Sequence, residues 1–113
     1  PDWVCPTEYG YVPDCGSVAQ MLFNATKRKP KFIGKPEATM VELAVEKSGF
    51  TKEQSVLLGD RLYTDIASGH NAGIDTMLML SGESTINDLK EFDFSPTFIY
   101  KNVRELYNYL SKK

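Results

Sequence analysis

The sequence predicts an α/β fold in which a parallel sheet lies between layers of helices. Two apolar runs, at residues 55–58 and 75–80, have the length and composition of strands buried in such a sheet. The stretches around them carry apolar residues three and four positions apart, as amphipathic helices do. Because helices and strands alternate strictly, we expect right-handed crossovers and a parallel three-layer arrangement.

The N-terminal third is predicted to be an ordered loop followed by one helix. Prolines and glycines interrupt residues 1–16 too often for a long regular element. Its aromatic residues either line a pocket or cover the edge of a core. The helix is expected to begin with Ser17 as its cap and to end before Pro30, with a short extended piece at residues 31–33. Its apolar face comprises Val18, Met21, Leu22 and Ala25.

Three further helices are predicted along the rest of the chain. The first follows Pro36 and ends at Gly49, and the second covers residues 64–72 and ends at Gly73, both in the usual position of a C-terminal glycine. Thr85, with Asp88 three residues later, resembles the capping box of a short helix that extends to about residue 91. A strand at 98–100 and a final helix complete the chain. The apolar faces are formed by Met40, Val41, Leu43 and Ala44 in one helix and by Val103, Leu106, Tyr107 and Leu110 in the last.

Length and charge restrict the class of protein. The 113 residues suffice for one small core, and 42% hydrophobic with 25% charged residues is typical of a globular chain. A net charge of -2 argues against a nucleic-acid partner. We see neither an apolar run of about 20 residues nor a signal-peptide layout, so we expect no membrane association and a cytoplasmic location. The two cysteines form no metal-ligand pattern, and reduced thiols are expected.

The stretch GDRLYTD, residues 59–65, places two acids where the first predicted strand ends. Asp60 follows the strand directly, and Asp65 lies in the first turn of the next helix. Ligands of open α/β sheets bind at this edge, and Mg²⁺ is usually held by one or two carboxylates together with waters and phosphate oxygens. The pair therefore indicates a magnesium site. An aspartate in a turn, and another favoured by a helix dipole, is the alternative interpretation.

Lys35 is the candidate cation for the same edge of the sheet. It lies between Gly34, which lets the backbone approach closely, and Pro36, which restricts the chain before the next helix. An ammonium aimed at the strand ends can hold a phosphoryl oxygen or offset a carboxylate. The alternative is an ordinary surface lysine in a turn.

The sequence also carries polar residues close to the two acids and in the loop after the next strand. Arg61 and Thr64 are expected to orient the two acids by hydrogen bonds. His70 is expected at the surface, since helical rotation points it away from Asp65. Residues 81–84 follow the next strand at the same edge, where they either approach a ligand or form a plain turn.

At these residues the chain resembles the haloacid dehalogenase (HAD) superfamily of phosphatases, and more narrowly its NagD-like, 4-nitrophenylphosphatase type. Gly34, Lys35 and Pro36 match the third motif of that family, and residues 59–66 match the fourth. The pattern from residue 67 to residue 85 fits as well.

The resemblance implies a division of the chain and a role for each motif residue. Residues 1–33 would be the end of a cap domain, and residues 34–113 the C-terminal half of a Rossmann-like core. Lys35 would steady the nucleophile and the transferring phosphoryl group, Asp60 would be a direct Mg²⁺ ligand, and Asp65 would support it as the second acid of the metal pair. The phosphate and substrate site would further include Gly34, Pro36, Trp3 and Cys5.

The family's nucleophile, general acid and second motif are missing from the sequence, so the resemblance covers about the last two-fifths of such an enzyme. We therefore expect a fragment of a phosphatase that acts on small phosphorylated metabolites, such as sugar phosphates or nucleotides, and that is inactive alone. The strand before Asp60 would lose its neighbour, and its open edge would favour self-association. A non-catalytic module that binds Mg²⁺ or phosphate, or acts in assembly, is the alternative.

Overall fold

A computed structural model describes residues 2–112 of the chain. They divide into two compact units, one ending at Phe32 and the other beginning at Ile33. Within the described range, no helix combines the length and the apolar character that crossing a bilayer requires.

The N-terminal unit begins with a β-hairpin, so the prediction of a loop through residue 16 is wrong. Strands β1 (Val4–Thr7) and β2 (Gly10–Pro13) pair antiparallel, with Thr7 opposite Gly10 at the turn. Gly10 has a φ of 125°, which favours glycine. The prolines are tolerated because both strands of a two-stranded sheet are edge strands, where a missing N–H costs little.

Helix α1 (Cys15–Thr26) follows the hairpin and begins three residues earlier than predicted. Its cap is Asp14, whose side chain accepts a hydrogen bond from the N–H of Cys15 at 2.6 Å. Ser17, the predicted cap, instead donates its hydroxyl to the carbonyl of Trp3 at 2.5 Å. The helix ends at Thr26, before Pro30, and residues 31–33 carry no strand.

The C-terminal unit contains the predicted parallel sheet, in the order β3-β4-β5. The strands are β3 (Val56–Gly59), β4 (Asp75–Met79) and β5 (Phe98–Tyr100), and the helices are α2 (Thr39–Ser48), α3 (Ala67–Ala72) and α4 (Val103–Leu110). Gly49 and Gly73 end α2 and α3 in the left-handed conformation, as predicted. Helix α2 begins three residues after Pro36, following a turn.

Two short elements depart from regular α-helix. Leu62–Ile66 form one turn of π-helix that runs directly into α3. Asn87–Glu91 form a 3-10 helix. Asp88, in its first turn, accepts hydrogen bonds from the N–H and the hydroxyl of Thr85, at 2.7 and 3.0 Å. Asp88 thus contacts Thr85 as expected, but the predicted capping box is incomplete, since the residue at the cap of this 3-10 helix is Ile86 and its side chain makes no capping bond.

The core lies around the central strand β4. Leu62, Ile66 and Leu78 are fully buried, with partly buried leucines and phenylalanines packed against them. The prediction of a buried strand is confirmed for β4 and wrong for β3, where Val56 and Leu58 are 49% and 44% exposed. Strand β3 is an edge strand, since it pairs only with β4 among residues 2–112.

The apolar faces predicted for α2 and α4 are largely exposed. In α2 only Val41 is buried. Met40 and Ala44 line an open groove of about 650 Å³ that runs along α2 and β3, and Leu43 is exposed. In α4 only Leu106 is partly buried. Amphipathic spacing identified both helices correctly, but no described layer covers these faces.

Gly69 provides a test of the packing between α3 and the sheet. A Cβ at this position would collide with Cγ2 of Thr76 and lie 3.2 Å from Cβ of Leu57. We expect Gly69→Ala to lower the free energy of unfolding by about 1–3 kcal/mol, because the clash exceeds the helix-propensity gain of about 1 kcal/mol. Urea unfolding measures the change. Gly34→Ala is the control, since a Cβ there meets nothing within 4 Å; equal destabilisation of the two variants would contradict the packing argument.

Candidate functional site

The turn after β3 brings Asp65 back over the end of the strand. Ala67 donates its N–H to the carbonyl of Leu62, five residues earlier, and this wider turn carries Asp65 toward Gly59. One carboxylate oxygen, Oδ2, accepts hydrogen bonds from the N–H groups of Asp60 and Arg61, both at 3.2 Å. Any Cβ on Gly59 would collide with the side chain of Asp65. The glycine before Asp60 is therefore required by the close approach of the second acid.

Lys35 meets the other oxygen of the same carboxylate. Its Nζ lies 2.6 Å from Oδ1 of Asp65. The Lys35 side chain is 55% exposed whereas that of Asp65 is 11% exposed, so the ammonium also faces solvent. The structure thus brings the predicted lysine and the predicted acid pair together, with Asp65 between Lys35 and the backbone of Asp60.

Two polar side chains of α3 fix the loop that carries Lys35. The hydroxyl of Ser68 donates to the carbonyl of Glu37 at 3.0 Å, and the amide of Asn71 donates to the carbonyl of Pro36 at 2.9 Å. Ser68 is fully buried. We did not predict these contacts from the sequence. The signal available was the spacing, because residues 65, 68 and 71 lie one helical turn apart on the same side.

The loop after β4 contacts Asp60 through its backbone. The N–H of Glu83 donates to Oδ2 of Asp60, and the N–H of Ser84 donates to the Asp60 carbonyl, both at 3.0 Å. A Cβ on Gly82 would collide with the Asp60 carboxylate. Ser81 lies apart from this group, beside Asn102 at the beginning of α4.

Arg61 hydrogen-bonds Asp65 through its backbone, whereas the Thr64 hydroxyl bonds neither acid. Only the backbone N–H of Arg61 contacts Asp65, and its Nε pairs with Oε2 of Glu83 at 2.6 Å. The carboxylate of Glu83 raises the pKa of Arg61. The hydroxyl oxygen of Thr64 is buried and has no hydrogen-bond partner among residues 2–112. The prediction that both residues orient the acids by hydrogen bonds is therefore confirmed for Arg61, through its backbone, and wrong for Thr64.

Asp65 is stabilised as an anion despite its burial. Burial by itself favours the neutral acid, but the Lys35 ammonium and the N–H groups of Arg61 and Asp60 outweigh it and lower the pKa of Asp65. The group is therefore ionised at neutral pH, as a partner for Lys35 requires.

The two acids suit a hard divalent cation. Carboxylate oxygens are the ligands that Mg²⁺ prefers, and one or two of them suffice because the ion keeps several waters. Asp60 is the more accessible of the pair, since both oxygens of Asp65 are already hydrogen-bonded. In the described part of the chain, no group of three or more His, Cys, Asp or Glu side chains is placed to hold a metal ion.

The remaining candidates are divided between the two units of the chain. Gly34 is exposed beside Lys35. Trp3 and Cys5 belong to the N-terminal unit, where Trp3 lines a small pocket of about 250 Å³ and Cys5 is an exposed free thiol in β1. His70 is exposed, as predicted, and stacks on Phe94 with 5.0 Å between the ring centroids.

Comparison with known proteins identifies the family. The family model described as HAD-hydrolase-like matches residues 32–106. The chain belongs to this family. The match contains all three central residues of the site, Lys35, Asp60 and Asp65.

Solved structures of HAD phosphatases have the same fold. The 4-nitrophenylphosphatase of Thermotoga maritima is 44% identical and superposes with a TM-score of 0.79, over 96% of this chain and 42% of that structure. NagD of Escherichia coli K-12 gives a TM-score of 0.82 at 36% identity, over 93% of this chain and 41% of that structure.

Sequence relatives have names in the same class. Ribonucleotide monophosphatase NagD of Escherichia coli K12 is 37% identical over 97 residues, which are 86% of this chain and 39% of that protein. Dihydroxyacetone phosphatase of Corynebacterium glutamicum is 37% identical over 106 residues, 94% of this chain and 38% of that protein. The chain spans about two-fifths of the length of these relatives.

The Lys35–Asp65 pair should make stability depend on pH. In Lys35→Met, the pKa of Asp65 should rise, and stability at pH 7 should fall by about 1 kcal/mol, a small loss because the lysine is half exposed. A carboxyl whose pKa is lower in the folded state stabilises the fold at any pH above its unfolded-state pKa, which is about 3.9 for aspartate. This stabilisation disappears as the pH falls through the folded-state pKa. The difference between wild type and variant should therefore shrink below about pH 4.

Urea unfolding from pH 7 to pH 3, with an NMR titration of the Asp65 carboxyl, measures both quantities. Lys47→Met, which removes an exposed lysine of α2, is the matched control. An unchanged pKa of Asp65 in Lys35→Met would show that the pair does not hold the acid.

Proposed function

We propose that this chain is the C-terminal part of a Mg²⁺-dependent phosphatase that hydrolyses small phosphomonoesters. One observation carries the proposal: Lys35 contacts Asp65 at 2.6 Å while Asp65 accepts the N–H of Asp60, so a cation and two acids lie together. Membership of the HAD family and the names of the phosphatase relatives support it.

Each residue has a role in this proposal. Lys35 has a half-exposed ammonium that can contact a phosphoryl oxygen, and Asp65 holds that ammonium in place. Asp60 is the direct ligand for Mg²⁺, and Asp65 supports it by accepting the backbone N–H of Asp60. Bound Mg²⁺ would neutralise charge on the phosphoryl oxygens. This set suits phosphoryl transfer, in which catalysis depends mainly on positioning and charge stabilisation.

The proposal places the covalent chemistry outside these 113 residues. A HAD-type reaction uses an aspartate nucleophile that forms an aspartyl-phosphate, which divides one difficult step into two easier ones. Neither a nucleophile nor a general acid can be assigned to this sequence. The isolated chain should therefore hydrolyse nothing.

The substrate class follows from the relatives in general terms only. They are named ribonucleotide monophosphatase, dihydroxyacetone phosphatase and acid sugar phosphatase, and phosphomonoester hydrolysis is the chemistry these names share. We propose a small phosphorylated metabolite as the substrate, contacted from a cap by Trp3 and Cys5, with Gly34 and Pro36 beside the phosphate. Nucleic acids and membranes are not proposed as partners, and the proposed location is the cytoplasm.

Assays on two forms of the protein test this function. The full-length protein that contains this chain should hydrolyse p-nitrophenyl phosphate with Mg²⁺ and lose activity with a chelator, whereas the 113-residue chain should show none. In the full-length form, Lys35→Ala and Asp60→Ala should each lower kcat by about 100-fold or more, since each removes a charge from the reacting centre.

Lys47→Ala, which removes a remote exposed lysine, is the control and should retain activity. Turnover by the isolated chain, or an active Asp60→Ala variant, would contradict the proposal. A non-catalytic Mg²⁺ or phosphate-binding module remains the second candidate, favoured because neither a nucleophile nor a general acid can be assigned to this sequence. That candidate predicts Mg²⁺ binding by the full-length protein without turnover.

We also propose that the isolated chain associates with itself through the edge of β3. Val56 and Leu58 are exposed on a strand with an unpaired edge among residues 2–112, and such edges recruit other strands. Light scattering should give a mass above 12.7 kDa for the chain. Val56→Lys should reduce association, because a charged residue protects an edge.

Tyr9→Lys, which changes a residue that is 95% exposed in the N-terminal unit, should leave association unchanged. A strictly monomeric mass across the concentration range would overturn this proposal.

A further inference from the structure

The side chain of Glu83 joins two loops that the proposed metal site depends on. Its Oε2 lies 2.6 Å from Nε of Arg61, and its Oε1 accepts a hydrogen bond from the hydroxyl of Tyr63 at 2.9 Å. Arg61 and Tyr63 belong to the turn that begins at Asp60, and Glu83 belongs to the loop after β4. The carboxylate of Glu83 is thus held at both oxygens by the turn that carries the acids.

The backbone of the same segment fixes the Asp60 carboxylate. The N–H of Glu83 donates to Oδ2 of Asp60 at 3.0 Å, and Gly82 leaves only enough room for that carboxylate. One residue along, Ser84 is buried, donates its N–H to the Asp60 carbonyl, and accepts the N–H of Leu62 on its hydroxyl at 3.0 Å. Residues 82–84 therefore constrain the orientation of Asp60.

We propose that Glu83, clamped by Arg61, is a positioning residue that holds Asp60 in the orientation required for binding Mg²⁺. The inference rests on the proposed function, since it assigns Asp60 as the metal ligand. Glu83 acts through its backbone N–H on Asp60, and its side chain anchors that N–H. Groups behind a metal ligand commonly contribute 10- to 100-fold to metal affinity.

An electrostatic effect and a positioning effect predict different changes in Mg²⁺ affinity, and a substitution of Arg61 distinguishes them. The guanidinium attracts both Asp60 and Asp65 electrostatically. Removing it makes the acid pair more negative, so a purely electrostatic effect would tighten Mg²⁺ binding. Removing it also releases Glu83, so positioning weakens Mg²⁺ binding. Arg61→Ala therefore gives opposite signs for the two explanations.

The experiment is a Mg²⁺ titration by calorimetry on the full-length protein that contains this chain. We expect Arg61→Ala and Glu83→Ala each to raise the Kd by about 10-fold, and the double variant to be no weaker than either single one, because both changes release the same clamp. Glu83→Gln keeps the shape and the hydrogen-bonding oxygen, so its Kd should stay within about 3-fold of wild type. Glu91→Ala removes the charge of an exposed acid elsewhere and is the control.

A second measurement needs no metal. Amide hydrogen exchange at Glu83 should be faster in the Arg61→Ala variant than in wild type, since its N–H is no longer held on Asp60. Thermal unfolding of each variant establishes that it is folded. If Arg61→Ala does not fold, the comparison of Glu83→Ala with Glu83→Gln decides, and equal weakening by the two would overturn the proposal.

The outcomes distinguish this inference from the proposed function. If Arg61→Ala binds Mg²⁺ as tightly as wild type or more tightly, the positioning role is wrong while the phosphatase proposal stands. If the wild-type full-length protein binds no Mg²⁺ and hydrolyses no phosphomonoester, the proposed function itself fails.

Discussion

The carboxylate of Asp65 is the contact on which the site depends. One of its oxygens holds the Lys35 ammonium, and the other accepts the N–H groups of Asp60 and Arg61. A buried carboxylate is stable only when such partners compensate for the water it has lost. Because Lys35 lies 30 residues from Asp65 in the sequence, this single side chain connects the loop before α2 to the turn after β3.

Close packing of the backbone makes that contact possible. Gly59 and Gly82 lie where any Cβ would collide with Asp65 and Asp60, and the π-helical turn at Leu62–Ile66 carries Asp65 back toward the strand end. Buried groups fix the same turn. Leu62 and Ile66 belong to the hydrophobic core, and the N–H of Leu62 donates to the hydroxyl of Ser84. The apolar core and the polar site therefore share one short segment, and damage to either should affect both.

The C-terminal unit exposes apolar faces on α2 and β3. The apolar faces of α2 and β3 line one open groove, although their sequence patterns are those of buried elements. Relatives of the chain are more than twice its length. An apolar pattern records that a surface is suited to burial, whereas the partner that buries it need not lie in the same stretch of sequence.

The sequence by itself determined the alternation of helices and strands in the C-terminal unit, the central strand β4, the glycine ends of α2 and α3, and the grouping of Lys35 with Asp60 and Asp65. These features depend on local periodicity and on motif spacing, which a sequence displays directly. Only the tertiary structure decided that residues 4–13 form a hairpin, that β3 is an exposed edge, and that Arg61 pairs with Glu83 while the Thr64 hydroxyl is left without a described partner. Burial, edge position and the choice of a side-chain partner depend on residues distant in the chain, and local pattern contains no record of which of them meet.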